Sequence, residues 1–220
     1  MFFLLSVIVL AGREASAHPH VWLQARAELV FDAQNNFIAV RHVWQFDEGF
    51  SAYASQGLDA NGDGELSREE LAELSKINVE SLKDFEYFTF IERGPEDPPY
   101  QAPSEYWLES RGGLLTLFFT LPMEKPLTPD KDKGFADLTI EVFDATFFVD
   151  VAFAEDEAVT TTRSDGSPSP CTATLERPKA LDAAQSQLLA EIGPEDQVPE
   201  AIAPGEGELA NTIRVSCPTS

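Results

Sequence analysis

Two stretches near the start of the chain alternate apolar and polar residues in the way that a β-strand requires. Residues 21–31 place every second side chain on one apolar face, and residues 38–46 repeat the alternation after a short polar segment at 33–36. A period of two is the period of a strand, and a single apolar face means that one side packs on a core. The sequence therefore predicts a half-buried β-hairpin.

Further extended runs follow, separated by turns rich in glycine, proline and charged residues. This order predicts an α+β fold that is mainly antiparallel β, arranged as a sheet or a sandwich. Residues 181–192 carry apolar side chains at helical spacing and predict one amphipathic C-terminal helix. The predicted strands after the hairpin span residues 87–93, 106–110, 114–121, 136–143, 147–154, 171–175 and 212–217.

Residues 59–70, DANGDGELSREE, have the oxygen pattern of an EF-hand calcium loop, with Gly64 where the loop needs its sharp turn. The predicted calcium ligands are Asp59, Asn61, Asp63, the main-chain carbonyl of Glu65, Ser67 and Glu70. We expect an entering helix at 50–58 and an exiting helix from 67 to about 85, opened by a Ser67–Glu70 capping box. The helix–loop–helix, residues 50–85, is then an insertion between strands. A cation-free turn of the same shape is the alternative.

The start of the chain has the features of a secretory signal peptide. Residues 2–12 are apolar and are followed by Ala15, Ser16 and Ala17, the small residues that signal peptidase prefers, although a basic segment before them is missing. The apolar run is shorter than the roughly 20 residues that span a bilayer. We expect cleavage after Ala17, a periplasmic location without stable membrane insertion, and one exported domain, residues 18–220.

The two cysteines, Cys171 and Cys217, lie in the last quarter of the chain. An exported protein meets an oxidising compartment, so we predict one disulfide that ties the C-terminal part, residues 171–220. Two buried free thiols are the alternative.

The charge of the chain restricts its partners. The formal net charge is −23, from 15 basic and 38 acidic residues. Such a surface repels phosphate backbones and anionic lipid headgroups. Nucleic acid is therefore not expected as a partner, whereas metal ions are, and a saline habitat is an alternative reason for the same charge.

All three histidines, His18, His20 and His42, lie near the start of the predicted mature chain. After cleavage at Ala17, the α-amine and imidazole of His18 chelate Cu²⁺, Ni²⁺ or Zn²⁺, and His20 lies roughly 7 Å further along an extended chain. Pro19 has no amide proton and so excludes the square-planar motif that uses the amide of residue two. What remains is a chelating amine and imidazole with a second imidazole, as in a copper histidine brace. The alternative is an exposed terminus that binds no metal.

His42 lies on the second strand of the predicted hairpin, apart from His18 and His20. If residues 33–36 form the turn, Phe31 faces Ile38 and His42 faces Ala27 on the apolar side, away from His20. We therefore expect a hydrogen-bonded core histidine, unless a bulge or bend brings His42 to the other two.

Several stretches resemble a family of exported bacterial proteins, known as the periplasmic component of an uncharacterised ABC-type transport system and as a domain of unknown function. The stretches are HPHV at 18–21, HVWQFDE at 42–48, the loop at 59–70, YFTF at 87–90, LPM at 121–123, VFDATFFV at 142–149 and the late cysteines. The family typically has Tyr-Asp-Pro-Thr-Tyr where this chain has FDATF. The resemblance implies a role in handling Zn²⁺, Ni²⁺, Co²⁺ or Cu²⁺ beside a membrane permease. Asp144 and Asp150, on the predicted strand pair near the middle of the chain, are candidate carboxylate partners.

The first hypothesis is a periplasmic accessory protein that binds a transition metal for a transport system, carries a structural calcium ion and is not an enzyme. The second is a calcium-stabilised interaction module without a transition metal. The third is a copper histidine-brace enzyme, which redox turnover would distinguish from a carrier.

Overall fold

The computed structural model describes residues 20–146, 148–179 and 210–218. The described residues form two β-sheets, with two α-helices inserted after the first hairpin. In chain order, the elements are β1 (Val21–Phe31), β2 (Phe37–Phe46), α1 (Glu48–Ala54), α2 (Ala72–Leu82), a short 3-10 segment (Lys83–Phe88), β3 (Thr89–Arg93), β4 (Tyr106–Arg111), β5 (Leu114–Leu127), β6 (Leu138–Val142), β7 (Val149–Phe153), β8 (Val159–Arg163), β9 (Thr172–Glu176) and β10 (Asn211–Ser216).

The predicted hairpin is confirmed, because β1 and β2 pair in antiparallel fashion and Ala27 lies opposite His42. The predicted pairing of Phe31 with Ile38 is wrong, since the register shifts between Val30 and Phe31 and places Phe31 opposite Phe37. The irregularity lies at the end of the ladder, so the rest of the predicted register is unaffected.

The first sheet has six strands in the order β4-β5-β2-β1-β7, and β8 also pairs with β1. Both β7 and β8 run parallel to β1, along its first and second halves respectively. They act as one interrupted strand on the edge of the hairpin. The second sheet is antiparallel in the order β3-β6-β10-β9.

Both sheets turn one face to a single hydrophobic cluster. Burial of each large side chain in such a cluster contributes about 1.5–3 kcal/mol relative to exposure. The largest fully buried side chains are Trp44, Phe31, Phe37, Phe119, Phe135, Leu29, Leu71, Leu108, Leu115, Leu117, Leu121 and Leu138.

The expected α+β class with a C-terminal amphipathic helix is wrong. The described residues are mostly β, in one mixed and one antiparallel sheet, and α1 and α2 are their only α-helices. The segment predicted as the C-terminal helix, residues 181–192, lies outside the described residues. Parallel pairs depend on crossover connections, which the alternation within a single strand does not reveal.

Several element boundaries also differ from the prediction. The entering helix ends at Ala54 rather than at 58, and Gly57 follows with a φ of 77°, a conformation that ends helices. The exiting helix α2 begins at Ala72, after a turn at 67–71. Strand β5 continues to Leu127 through a segment expected to be a turn, and β8 was not predicted.

The predicted disulfide between Cys171 and Cys217 is confirmed. It joins the residue before β9 to the residue after β10 and so closes the edge of the second sheet. Gly134 packs against this link with a φ of 62°, and a Cβ there would lie 2.8 Å from the carbonyl oxygen of Cys217. Only glycine fits this approach.

Candidate functional site

The predicted cation loop, residues 59–70, connects α1 to α2 on the surface of the protein. Asp47 anchors the entering helix, since its carboxylate accepts hydrogen bonds from the backbone N–H of Phe50, 2.9 Å away, and of Trp22, also 2.9 Å away. The second bond ties α1 to the start of β1. Leu66, in the middle of the loop, packs against the hydrophobic cluster. The loop is thus attached to the core at both its helices and at its centre.

The first half of the loop wraps around the carboxylate of Asp59. Its Oδ1 accepts from the N–H of Gly62 at 2.7 Å, and its Oδ2 accepts from the N–H of Gly64 at 3.0 Å. Both glycines have positive φ, 74° and 82°, which other residues adopt only at a cost. The glycines therefore let the backbone curl round the side chain at the first loop position.

The carboxylate of Glu70 closes the second half of the loop. Its Oε2 accepts from the N–H and the hydroxyl of Ser67 at 2.9 and 2.8 Å, and its Oε1 accepts from the N–H of Ala60 at 2.9 Å. The Glu70 N–H in turn donates to the Ser67 hydroxyl, so the two residues form the predicted reciprocal bonds. These bonds lie in the turn before α2 and do not cap the helix, whose N-cap Leu71 has no side-chain bond. The bonds that the carboxylate accepts, those from Ser67 foremost, hold the pKa of Glu70 below its usual value. The carboxylate is therefore ionised and directed at the loop.

The remaining loop ligands are engaged in local turns. Oδ1 of Asn61 accepts from the N–H of Asp63, and Oδ1 of Asp63 accepts from the N–H of Glu65, both at 2.8 Å. Within the described part of the chain, no three side chains of His, Cys, Asp or Glu are grouped closely enough to hold a metal ion. A carboxylate oxygen has lone pairs for both an N–H group and a cation, so these bonds do not exclude a ligand role. Cation binding requires the loop side chains to converge more closely than they do here.

Arg68, at the tenth loop position, attaches the loop to the first sheet. Its guanidinium lies 4.8 Å from the ring centre of Trp107 and pairs with Glu109. Glu109 also accepts from the indole N–H of Trp107 at 3.1 Å. The side-chain bond from Arg68 is the largest of the effects that lower the pKa of Glu109. No sequence signal linked Arg68 to β4.

His20 lies at the entrance to β1. Its backbone N–H donates to the carbonyl of Phe148 at 2.9 Å, and the ring centres of His20 and Phe148 are 5.0 Å apart. His18 lies outside the described residues. The parallel register places Asp150 beside Trp22 on the same edge, and desolvation raises the pKa of Asp150. Asp150 and Asp47 thus both lie beside Trp22, two residues after His20.

Asp144, the other carboxylate considered from the sequence, has a structural role. It is buried, and its oxygens accept from the N–H and hydroxyl of Thr146 and from the N–H of Val149. These bonds form the turn before β7. The carboxylate is thus satisfied by its own turn.

His42 lies in the core, 1% exposed, with its ring stacked 4.8 Å from Phe119. Its Nε2 lies 3.1 Å from the hydroxyl of Thr89, which itself donates to the carbonyl of Tyr87. The Thr89 proton is thereby used, so His42 carries its own proton on Nε2, and Nδ1 has no partner. Burial lowers the pKa of His42 to about 3. This ring is neutral at any ordinary pH.

The structure does not bring His42 and His20 together. His42 pairs with Ala27, seven positions along β1 from His20, which corresponds to roughly 23 Å. Of the three predicted transition-metal ligands, only His20 is therefore both described and accessible.

The described fold defines a class: a two-sheet β protein with a helix–loop–helix inserted after its first hairpin. Residues 3–217 match the family described as "Protein of unknown function (DUF1007)", and the chain belongs to this family. It is also similar to the "Uncharacterized 15.5 kDa protein in trpE 3'region" of Spirochaeta aurantia. That similarity is 28% identity over 108 residues, which cover 49% of this chain and 74% of the relative.

Proposed function

We propose that this protein is an exported accessory protein that binds divalent cations, with a structural calcium ion in the loop 59–70 and a transition metal at its amino terminus. Its chemistry is binding rather than turnover. The observation that carries the proposal is the folded loop, in which Asp59 and Glu70 are held at the two ends by the backbone N–H groups of the loop itself.

The donor set suits calcium. Carboxylate, amide, hydroxyl and carbonyl oxygens are the ligands that Ca²⁺ prefers, and they come from Asp59, Asn61, Asp63, Glu65, Ser67 and Glu70. Bound calcium would supply positive charge among three carboxylates that otherwise repel one another. The ion would then stabilise the link between α1 and α2, without any need for signalling.

The amino terminus suits a softer ion. His20 is exposed at the entrance to β1, and His18, two residues before it, supplies an imidazole and, after cleavage at Ala17, an α-amine. Nitrogen ligands of this kind favour Zn²⁺, Ni²⁺, Co²⁺ or Cu²⁺. The Cys171–Cys217 disulfide supports export to an oxidising compartment, where a membrane permease would be the partner.

Calcium binding is tested on the chain 18–220 after removal of cations with EDTA. We expect one Ca²⁺ per chain by titration calorimetry, with a Kd of about 10⁻⁴ to 10⁻³ M or tighter, and a higher Tm with calcium. Glu70→Gln should abolish both effects because it removes a charged ligand. Glu69→Gln, at the neighbouring exposed position, should retain both. Equal calcium responses in these two variants would exclude the loop as the site.

Transition-metal binding is tested separately, with calcium kept saturating. The chain that begins at His18 should bind one Zn²⁺, Ni²⁺, Co²⁺ or Cu²⁺ in competition with a chromogenic chelator. The double variant His18→Ala, His20→Ala should lose this binding and keep its calcium response. If the double variant binds as tightly as the natural chain, the amino-terminal site is wrong, and the calcium-stabilised interaction module becomes the better account.

A further inference from the structure

A groove of about 290 Å³ lies on the outer face of the first sheet, the face turned away from the hydrophobic cluster. Its floor is a row of apolar side chains that pair across three strands: Trp107 of β4, Phe118 of β5 and Val43 of β2. The rings of Trp107 and Phe118 are stacked, with centres 4.9 Å apart and planes 6° apart. All three side chains are only partly buried, so the row forms an apolar platform that is bounded at Trp107 by the Arg68 guanidinium.

Two unpaired charges of opposite sign lie on the rim of this groove. Arg26 follows Val43 in the same row, since the two residues pair in register. Glu157 belongs to the link between β7 and β8. Strand β7 pairs with β1 as far as Ala25, and β8 pairs with it from Ala27 onward, so the link lies opposite Arg26.

Neither Arg26 nor Glu157 makes a side-chain ion pair or hydrogen bond with any residue that the structure describes. The other two charges of the groove, Arg41 and Glu28, neutralise each other at 2.7 Å. The groove therefore presents one free cation, one free anion and an apolar platform.

We propose that this groove binds a free α-amino acid with an apolar side chain. The carboxylate of the ligand pairs with Arg26, whose planar guanidinium suits bidentate contact, and its ammonium pairs with Glu157. The side chain lies on the platform of Val43, Phe118 and Trp107. Arg26 matches the carboxylate of such a ligand, Glu157 matches its ammonium, and the apolar platform matches its side chain. The groove volume suits a small molecule. This site is independent of the proposed cation sites.

The probe is L-phenylalanine, titrated into the chain 18–220 and followed by calorimetry and by ligand-observed NMR. N-acetyl-L-phenylalanine lacks the ammonium, and L-phenylalaninamide lacks the carboxylate. We expect each to bind about tenfold more weakly than L-phenylalanine, as for the loss of one charged hydrogen-bonded contact.

The variants assign the two charges. Arg26→Gln should weaken L-phenylalanine about tenfold and leave L-phenylalaninamide unchanged, whereas Glu157→Gln should weaken L-phenylalanine and leave the N-acetyl compound unchanged. Arg214→Gln, which removes an exposed arginine from the second sheet, is the control and should change nothing. All three positions are exposed, and the Tm of each variant verifies folding.

Two results would overturn the proposal. One is the absence of L-phenylalanine binding at 10 mM, a concentration about tenfold above a Kd of 1 mM. The other is equal affinity for all three compounds, which would mean that the platform binds the apolar ring and that Arg26 and Glu157 do not contribute to binding. Loss of calcium or transition-metal binding has no bearing on either result.

Discussion

At the scale of single residues, His42 shows how a side chain can look like a metal ligand in the sequence and be a core residue in the fold. Its ring is packed between Phe119 and Trp44, and its one accessible bond partner is the hydroxyl of Thr89. Nδ1 is left without a partner. A buried nitrogen without a partner costs free energy, and that cost rises sharply if the ring must carry a charge.

His42 should make the protein less stable as the pH falls from about 6.5 toward 3. The pKa is about 3 in the folded state and near 6.5 in the unfolded state, so the unfolded chain binds the extra proton in this window. The free energy of unfolding should therefore fall by about 1.4 kcal/mol per pH unit from this residue alone. Urea unfolding at several pH values, compared with His42→Gln, isolates the effect, because the carboxylates are common to both proteins. Identical pH slopes in the two proteins would contradict it.

At the scale of elements, the turn at residues 86–88 is the most constrained piece of backbone. Glu86, Tyr87 and Phe88 have φ values of 51°, 51° and 50°, a left-handed turn without a glycine. Each such residue costs about 1–2 kcal/mol. Burial of the Tyr87 and Phe88 rings offsets this cost, and the Tyr100 hydroxyl lies 2.7 and 2.8 Å from the carbonyls of Glu86 and Thr89.

Replacing Tyr100 by Phe should lower the free energy of unfolding by about 1–2 kcal/mol, because it removes the one O–H donor that these two carbonyls share and leaves the ring in place. Equilibrium urea unfolding measures the change. Tyr53→Phe is the matched control: Tyr53 is 76% exposed, and its variant should unfold as the natural chain does. A Tyr100→Phe protein as stable as the control would mean that the turn is held by ring packing alone.

At the scale of the whole molecule, the two sheets share one core, and the disulfide fastens the last strands to it. The segment between the two cysteines includes residues outside the described part of the chain, yet its ends are fixed at β9 and β10. A covalent link of this kind stabilises the fold mainly by restricting the unfolded chain.

Reduction of Cys171–Cys217, which are 46 positions apart, should lower the free energy of unfolding by about 3–4 kcal/mol. The measurement is urea unfolding with and without a reductant. The double variant Cys171→Ala, Cys217→Ala should match the reduced protein and should not respond to the reductant. A loss below about 1 kcal/mol on reduction would show that the unfolded chain is not restricted by this link.

The sequence by itself determined the features that depend on neighbouring residues. The alternation of β1 and β2 requires strands, and a short turn between them pairs Ala27 with His42. The reciprocal bonds between Ser67 and Glu70 need residues only three positions apart. The disulfide could be predicted because the chain has two cysteines, which allow one intramolecular pairing.

Only the tertiary structure decided the features that join distant segments. The parallel pairing of β7 and β8 with β1 requires crossover connections, which leave no local pattern, and the polar strand β8 has no clear alternation. The contact of Arg68 with Trp107 and the groove between Arg26 and Glu157 arise where separate strands and loops meet. Local periodicity fixes which face of a strand is apolar, but the strand beside it is chosen by packing over the whole chain.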